Sequence, residues 1–152
     1  MALNQKEKTT LKDLQTQEQT CVEKYRKYAK DAKDPVLKDL FKTIEKDEKQ
    51  HVDALGQALA GNTPDVDCND CTGREYTPTA TYSKTEESAD KKSDSFLATD
   101  SITSEKLVSS EYNSNVFNFA DSKIRKLLAD IQIEEQNHAE MLYKYKVANG
   151  MA

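Results

Sequence analysis

The sequence predicts an all-α protein: a four-helix bundle of two antiparallel helical hairpins joined by a long crossover. Three observations predict it. Apolar residues recur at alternating steps of three and four along four separate stretches. Gly and Pro are scarce, four and three in 152 residues, while 32% of residues are charged and 36% hydrophobic, a mix that suits amphipathic helices better than sheets. The chain is also written in two halves. The pattern Glu-x29-Glu-x2-His occurs as Glu18, Glu48, His51 and again, 87 positions later, as Glu105, Glu135, His138.

The first helix is read from Leu11, Leu14, Glu18, Cys21, Tyr25, Tyr28 and Ala32. Asp34 and Pro35 then read as the N-cap and first residue of the second, which carries Leu37, Phe41, Ile44, Glu48, His51, Leu55 and Ala58 on one stripe. Gly61 stands where a helix C-terminal cap is expected. These two helices form a hairpin over about residues 4–60. The following stretch, about residues 61–95, is rich in Thr, Ser and Asp, contains Pro64, Gly73 and Pro78, and has no sustained apolar period. A connection of roughly 35 residues is far longer than usual, so it is functional, disordered or required by topology. Topology requires it if the second hairpin enters from the opposite end, because the chain must then return along helices roughly 40 Å long.

The third helix is read from Ala98, Ile102 (or Ser101), Glu105, Val108 and Tyr112, with Phe119 beyond. Residues Asn118 to Asp121 turn the chain into the fourth, with Ile124, Leu128, Ile131, Glu135, His138, Leu142 and Tyr145, and Gly150 at its end. This second hairpin covers about residues 96–149, and residues 1–152 are read as one domain. The same offset of 87 pairs Tyr25 with Tyr112, Leu37 with Ile124, Leu40 with Leu127, Ile44 with Ile131 and Leu55 with Leu142. Two hairpins of like design can pack about a pseudo-twofold axis.

Charge and composition exclude several classes. A formal charge of −5 gives no electrostatic reason to approach nucleic acid or an anionic membrane. No apolar run approaches the roughly 20 residues that cross a bilayer. The first residues lack the apolar stretch of a signal peptide, so the expected location is the cytoplasm. Three cysteines do not make a disulfide framework.

The six repeated residues fall on the apolar stripes, at mid-helix, among Leu, Ile, Val and Tyr. Four carboxylates facing one another in a core are very costly if all are ionised and unpaired. Either they hold protons, or cations sit among them, and two divalent ions neutralise four carboxylates. Glu-x-x-His sets both side chains one turn apart on one face, where they can bind a common ion. Carboxylate with imidazole suits iron, manganese or zinc. The six residues are therefore read as ligands of two metal ions.

This ligand set resembles that of the ferritin-like di-metal carboxylate superfamily, in which Glu and Glu-x-x-His from facing helices hold two metal ions. The resemblance covers the four helices. It implies a ferritin-like bundle with two iron ions (manganese or zinc as alternatives), Glu48 and Glu135 bridging, Glu18 and Glu105 terminal, and one histidine on each metal. It further implies ferroxidase-type oxidation of ferrous iron by dioxygen or peroxide, in iron handling or oxidative-stress defence, with self-association into a homo-oligomer. Tyr25, seven residues after Glu18, matches a tyrosine that ferritins and bacterioferritins carry beside their metals, and Tyr112 duplicates it. Two departures speak against a rubrerythrin: Val108 stands where rubrerythrins carry an extra glutamate, and no rubredoxin-like module with paired Cys-x-x-Cys follows. Ser104 to Phe119, continuing through Ile133 to His138, is similar to the spore coat F family. That likeness implies the alternative of a structural coat protein in the endospore coat, among other coat proteins, with a vacant or purely stabilising site.

Cys68-Asn-Asp-Cys71 in the crossover reads as a dithiol pair, half of a zinc site shared between chains, or two thiols without a role. Cys21 reads as a small core residue one turn beyond Glu18. Glu45, Asp47, Glu134 and Glu140 read as solvated helix faces, with Asp47 and Glu134 as partners of the ligands only if they turn inward.

Overall fold

The computed structural model describes residues 2–65 and 71–152. Each long helix begins on a side chain that closes its first turn. Asn4 opens α1 (Gln5–Asp31) with a reciprocal pair: its side chain accepts from Glu7 N at 2.9 Å, and the Glu7 carboxylate accepts from Asn4 N at 2.8 Å. Asp34 opens α2 (Pro35–Leu59), with Pro35 at the first helical position as the sequence predicts. A single turn, α3 (Thr72–Glu75), lies in the crossover. Ser88 caps α4 (Ala89–Asn115), which runs into a 3-10 turn at Val116–Asn118, and Asp121 caps α5 (Ser122–Ala148). Gly61 and Gly150 follow α2 and α5 with φ of 88° and 66°, the left-handed conformation that glycine adopts at least cost.

The apolar stripes of the four long helices meet in one core. α1 packs on α2 and α4 packs on α5. Side-chain pairs between the hairpins fix their relative direction. Tyr28 reaches Asp100 and Tyr112 reaches Glu18, so α4 runs antiparallel to α1. His51 meets Glu134 and His138 meets Asp47, so α5 runs antiparallel to α2. It follows that α2 and α4 point the same way, and the crossover must carry the chain back along the bundle. It does so beside α5. The Lys144 ammonium donates to the carbonyls of Gly73 and Arg74 at 2.6 and 2.7 Å, and the Asn149 amide oxygen accepts from Thr81 N and Tyr82 N, both at 2.9 Å. Cys68, one half of the Cys-x-x-Cys pair, lies outside the described residues. Among those described, no helix is long and apolar enough to cross a membrane.

One expectation needs correction. α4 begins at Ala89, not near residue 96. Its first turns bury Lys91 and Asp94, which are 2% and 0% exposed, and a search for apolar period passes over charged residues. Lys91 is satisfied by the carbonyls of Ser83 and Glu86, at 2.8 and 3.0 Å. Further along, the inward stripe of α4 passes through Ser101 rather than Ile102. The Ser101 hydroxyl donates to Leu97 O at 2.7 Å, which lets it lie fully buried while Ile102 stays half-exposed.

Asp94 ties three segments together at one end of the bundle. It accepts from Lys33 N and Asp34 N at 2.9 Å each, and from the Tyr82 hydroxyl at 2.6 Å. Asp34 in turn accepts from Tyr145 at 2.7 Å. Asp94→Ala leaves three donors without their acceptor and is expected to cost about 3 kcal/mol. Urea unfolding followed by circular dichroism measures it, and a midpoint equal to the parent's would show that this junction is not a structural tie.

Candidate metal centre

The structure brings all six repeated residues to one place. Glu18, Glu48, Glu105, Glu135, His51 and His138 project from the middles of four different helices and are at most 3% exposed. They fall into two groups, Glu18, Glu48, His51, Glu135 and Glu48, Glu105, Glu135, His138, with one ligand atom from each residue lying within 4.8 Å of the others in its group. Glu48 and Glu135 belong to both. Each imidazole turns Nδ1 toward the carboxylates. His51 Nδ1 lies 3.2 Å from Glu135, 3.3 Å from Glu48 and 3.5 Å from Glu18; His138 Nδ1 lies 3.1 Å from Glu48, 3.6 Å from Glu105 and 3.7 Å from Glu135. The two rings are 6.2 Å apart.

A second ring of side chains holds the first. Asp47 and Glu134 do turn inward: His51 Nε2 bonds to Glu134, and His138 Nε2 to Asp47 at 3.0 Å. Each acid precedes a Glu-x-x-His phrase but serves the histidine of the opposite hairpin. With Nε2 so engaged, Nδ1 is the nitrogen left for an ion. The tyrosines cross over too. Tyr25 donates to Glu105 and Tyr112 to Glu18, so each tyrosine orients the glutamate of the other half. The sequence places both tyrosines beside the six residues without naming the carboxylate that each meets, and Glu18 on the same helix as Tyr25 is not it. Seven residues are two turns, roughly 10 Å, which is out of reach, whereas the antiparallel helix offers a carboxylate at the right level.

Other candidates lie apart from the two groups. Cys21 is buried beside the centre, where burial and the four carboxylates push its thiol pKa up, which makes it a poor thiolate. Glu45 pairs on the surface with Arg26 at 2.8 Å and Lys49 at 3.3 Å, and Glu140 pairs with Lys144 at 3.1 Å.

Without metal the cluster balances its charge with protons. Burial, then the negative charge of Glu48, pushes Glu18 up to about 7; burial with the neighbouring carboxylates also raises Glu135 well above its ordinary value. Burial also opposes ionisation of Glu48 and Glu105, but contacts to their protonated partners and the imidazoles win, leaving Glu48 at about 2 and Glu105 below its usual range. Protons are therefore favoured on Glu18 and Glu135 and disfavoured on Glu48 and Glu105. Burial disfavours charge on both imidazoles, yet surrounding carboxylates raise both well above 6.5. The charged form of each imidazole is thus favoured beside the carboxylates. Even so, buried oxygens of Glu18, Glu48, Glu105 and Glu135, together with His138 Nδ1, make no hydrogen bond among the described residues. Orphaned oxygen and nitrogen donors of this kind, in groups whose ligand atoms lie within 4.8 Å of one another, fit divalent metal ions.

The pH dependence of the metal-free protein follows. Glu18, Glu135, His51 and His138 all have raised values, so the folded chain holds protons that the unfolded chain has released, and their stabilisation is lost as pH rises. Glu48 and Glu105 have lowered values, so their contribution is lost on acidification. Stability in chelator should therefore peak near pH ~5 and fall toward pH ~7.5. Thermal melts across that range check it, and Glu18→Gln should flatten the fall; a melting temperature that climbs steadily to pH ~7.5 would contradict the proton assignment.

A family model described as Rubrerythrin matches residues 9–146. No curated protein and no solved structure matches the chain significantly. The family match overturns the expectation, drawn from Val108 and the missing module, that this chain stands outside the rubrerythrins. Neither one helix position nor the extent of the chain outweighs a pattern distributed over all four long helices. Matched from the second turn of α1 to the last turn of α5, the chain belongs to the rubrerythrin family.

Proposed function

We propose that this protein binds two divalent transition-metal ions at the six residues and, with iron, oxidises ferrous ions with dioxygen or peroxide. One observation carries the reading: two four-residue groups that share Glu48 and Glu135. Glu48 and Glu135 would bridge the two ions, with Glu18 and His51 completing one site and Glu105 and His138 the other. Iron, when bound, supplies one-electron chemistry, each ferrous ion giving an electron to the oxidant. The donor set also suits manganese, and zinc would bind without redox activity.

The protein's own groups prepare the site for that exchange. Tyr25 and Tyr112 hold the outer glutamates from the opposite hairpins, and Asp47 and Glu134 fix the imidazoles through Nε2. These partners reduce the freedom that the ligands lose on binding. The protons on Glu18, Glu135, His51 and His138 leave as two dications arrive, so the buried charge hardly changes. The centre can thus fill and empty without exposing a naked charge to the core.

Loading should release about four protons per two ions bound, slightly fewer near neutrality where Glu18 is already partly ionised. A pH indicator in weakly buffered solution reads this directly. Metal analysis should give about two ions per chain, and Glu48→Ala with Glu135→Ala together should abolish binding because both sites lose two ligands. Adding ferrous iron to the parent should consume dioxygen or peroxide. A protein that binds both ions yet shows no ferrous-dependent consumption would have a stabilising centre rather than a catalytic one.

A further inference from the structure

The two hairpins repeat the ligands but not the seam beside them. Between α4 and α5 a crevice of about 180 Å³ is lined by Glu105, Lys106, Ser109, Glu135, Gln136 and Ala139. Two of the six residues border this crevice, and Glu105 and Glu135 both carry buried oxygens without a hydrogen-bond partner. One turn beyond each glutamate stand Ser109 and Ala139. At the offset of 87 the first hairpin has Val22 and Val52 in their places. Val22 is 2% exposed, Val52 is half-buried, and Gln15 of α1 bonds across to Val52 O of α2 at 3.1 Å. The larger groove between α1 and α4, about 270 Å³, is lined by Cys21 and Val108 and by none of the six.

We propose that the α4–α5 crevice is the port through which divalent cations reach the centre, with Glu105 and Glu135 receiving them first. This rests on the metal-binding reading and goes beyond it. Ser109 and Ala139 keep the port open because each is smaller than the valine that fills the equivalent position. The Ser109 hydroxyl and the Gln136 amide offer oxygens that replace lost waters of hydration. Lys106 places one positive charge at the mouth and slows cation entry, against the pull of the two glutamates at the floor.

The test is anaerobic stopped-flow uptake of cobalt(II), followed by its visible absorption. Ser109→Val with Ala139→Val copies the first hairpin and should slow uptake about tenfold, with the final stoichiometry and helical circular dichroism unchanged. Lys106→Gln lies on the surface and keeps the fold; it should speed uptake about twofold at low salt, the gain fading as salt rises. Parent-like rates in the valine variant would overturn the port. If that variant does not fold, Lys106→Gln decides alone, and an unchanged low-salt rate overturns it. A parent protein that binds no cobalt at all would instead remove the metal-binding reading on which the port depends.

Discussion

Four carboxylates buried at one level of a helical bundle set the terms for the rest of this molecule. Ionised and unpaired, they would drive the helices apart. The chain meets the difficulty by arranging that positive charge is always available. Without metal, protons are favoured on Glu18, Glu135, His51 and His138. Two divalent ions, bound as proposed, would bring positive charge in place of those protons. Either way the charge of the four carboxylates is countered within the Leu, Ile and Tyr packing around them.

That requirement reaches into the topology. Four of the six residues have an orienting partner from the opposite hairpin, Tyr25 on Glu105, Tyr112 on Glu18, Glu134 on His51 and Asp47 on His138. These crossings only work if α4 opposes α1 and α5 opposes α2. The long crossover is the consequence, since α2 and α4 then run in one direction. Its cost in order is offset by polar fixings: Lys144 and Asn149 hold it against α5, and Lys91 and Asp94 hold its last residues at the junction with the α1–α2 turn.

Much of this was legible in the residues. The steps of three and four located the helices, Asp34-Pro35 and Gly61 marked ends, and the doubled Glu-x-x-His singled out six residues that the fold gathers. The start of α4 was not legible, because Lys91 and Asp94 are inward positions occupied by charge. Nor was the crossing of the tyrosines, since sequence spacing measures distance along a helix and says nothing about the level reached on its neighbour. Asp47 and Glu134 were visible only as acids beside a motif; their role depends on a rotation that the antiparallel α2–α5 contact imposes. Val108 misled the family assignment because a single inward position was weighed against a pattern spread over the bundle.

Val108 has a different meaning in the structure. At the offset of 87 its counterpart is Cys21, so one turn beyond each outer glutamate both halves place a small buried group without charge. The two line the same groove between α1 and α4 and wall the carboxylates off on that side. The repeat is thus kept where charges are ligated and where the core is sealed. It is broken at Ser109 and Ala139, on the seam where Val22 and Val52 stand in the other half. A strictly symmetric bundle would be sealed on both seams or open on both. Departure from symmetry at these two positions accompanies a crevice beside Glu105 and Glu135 on one side of the bundle.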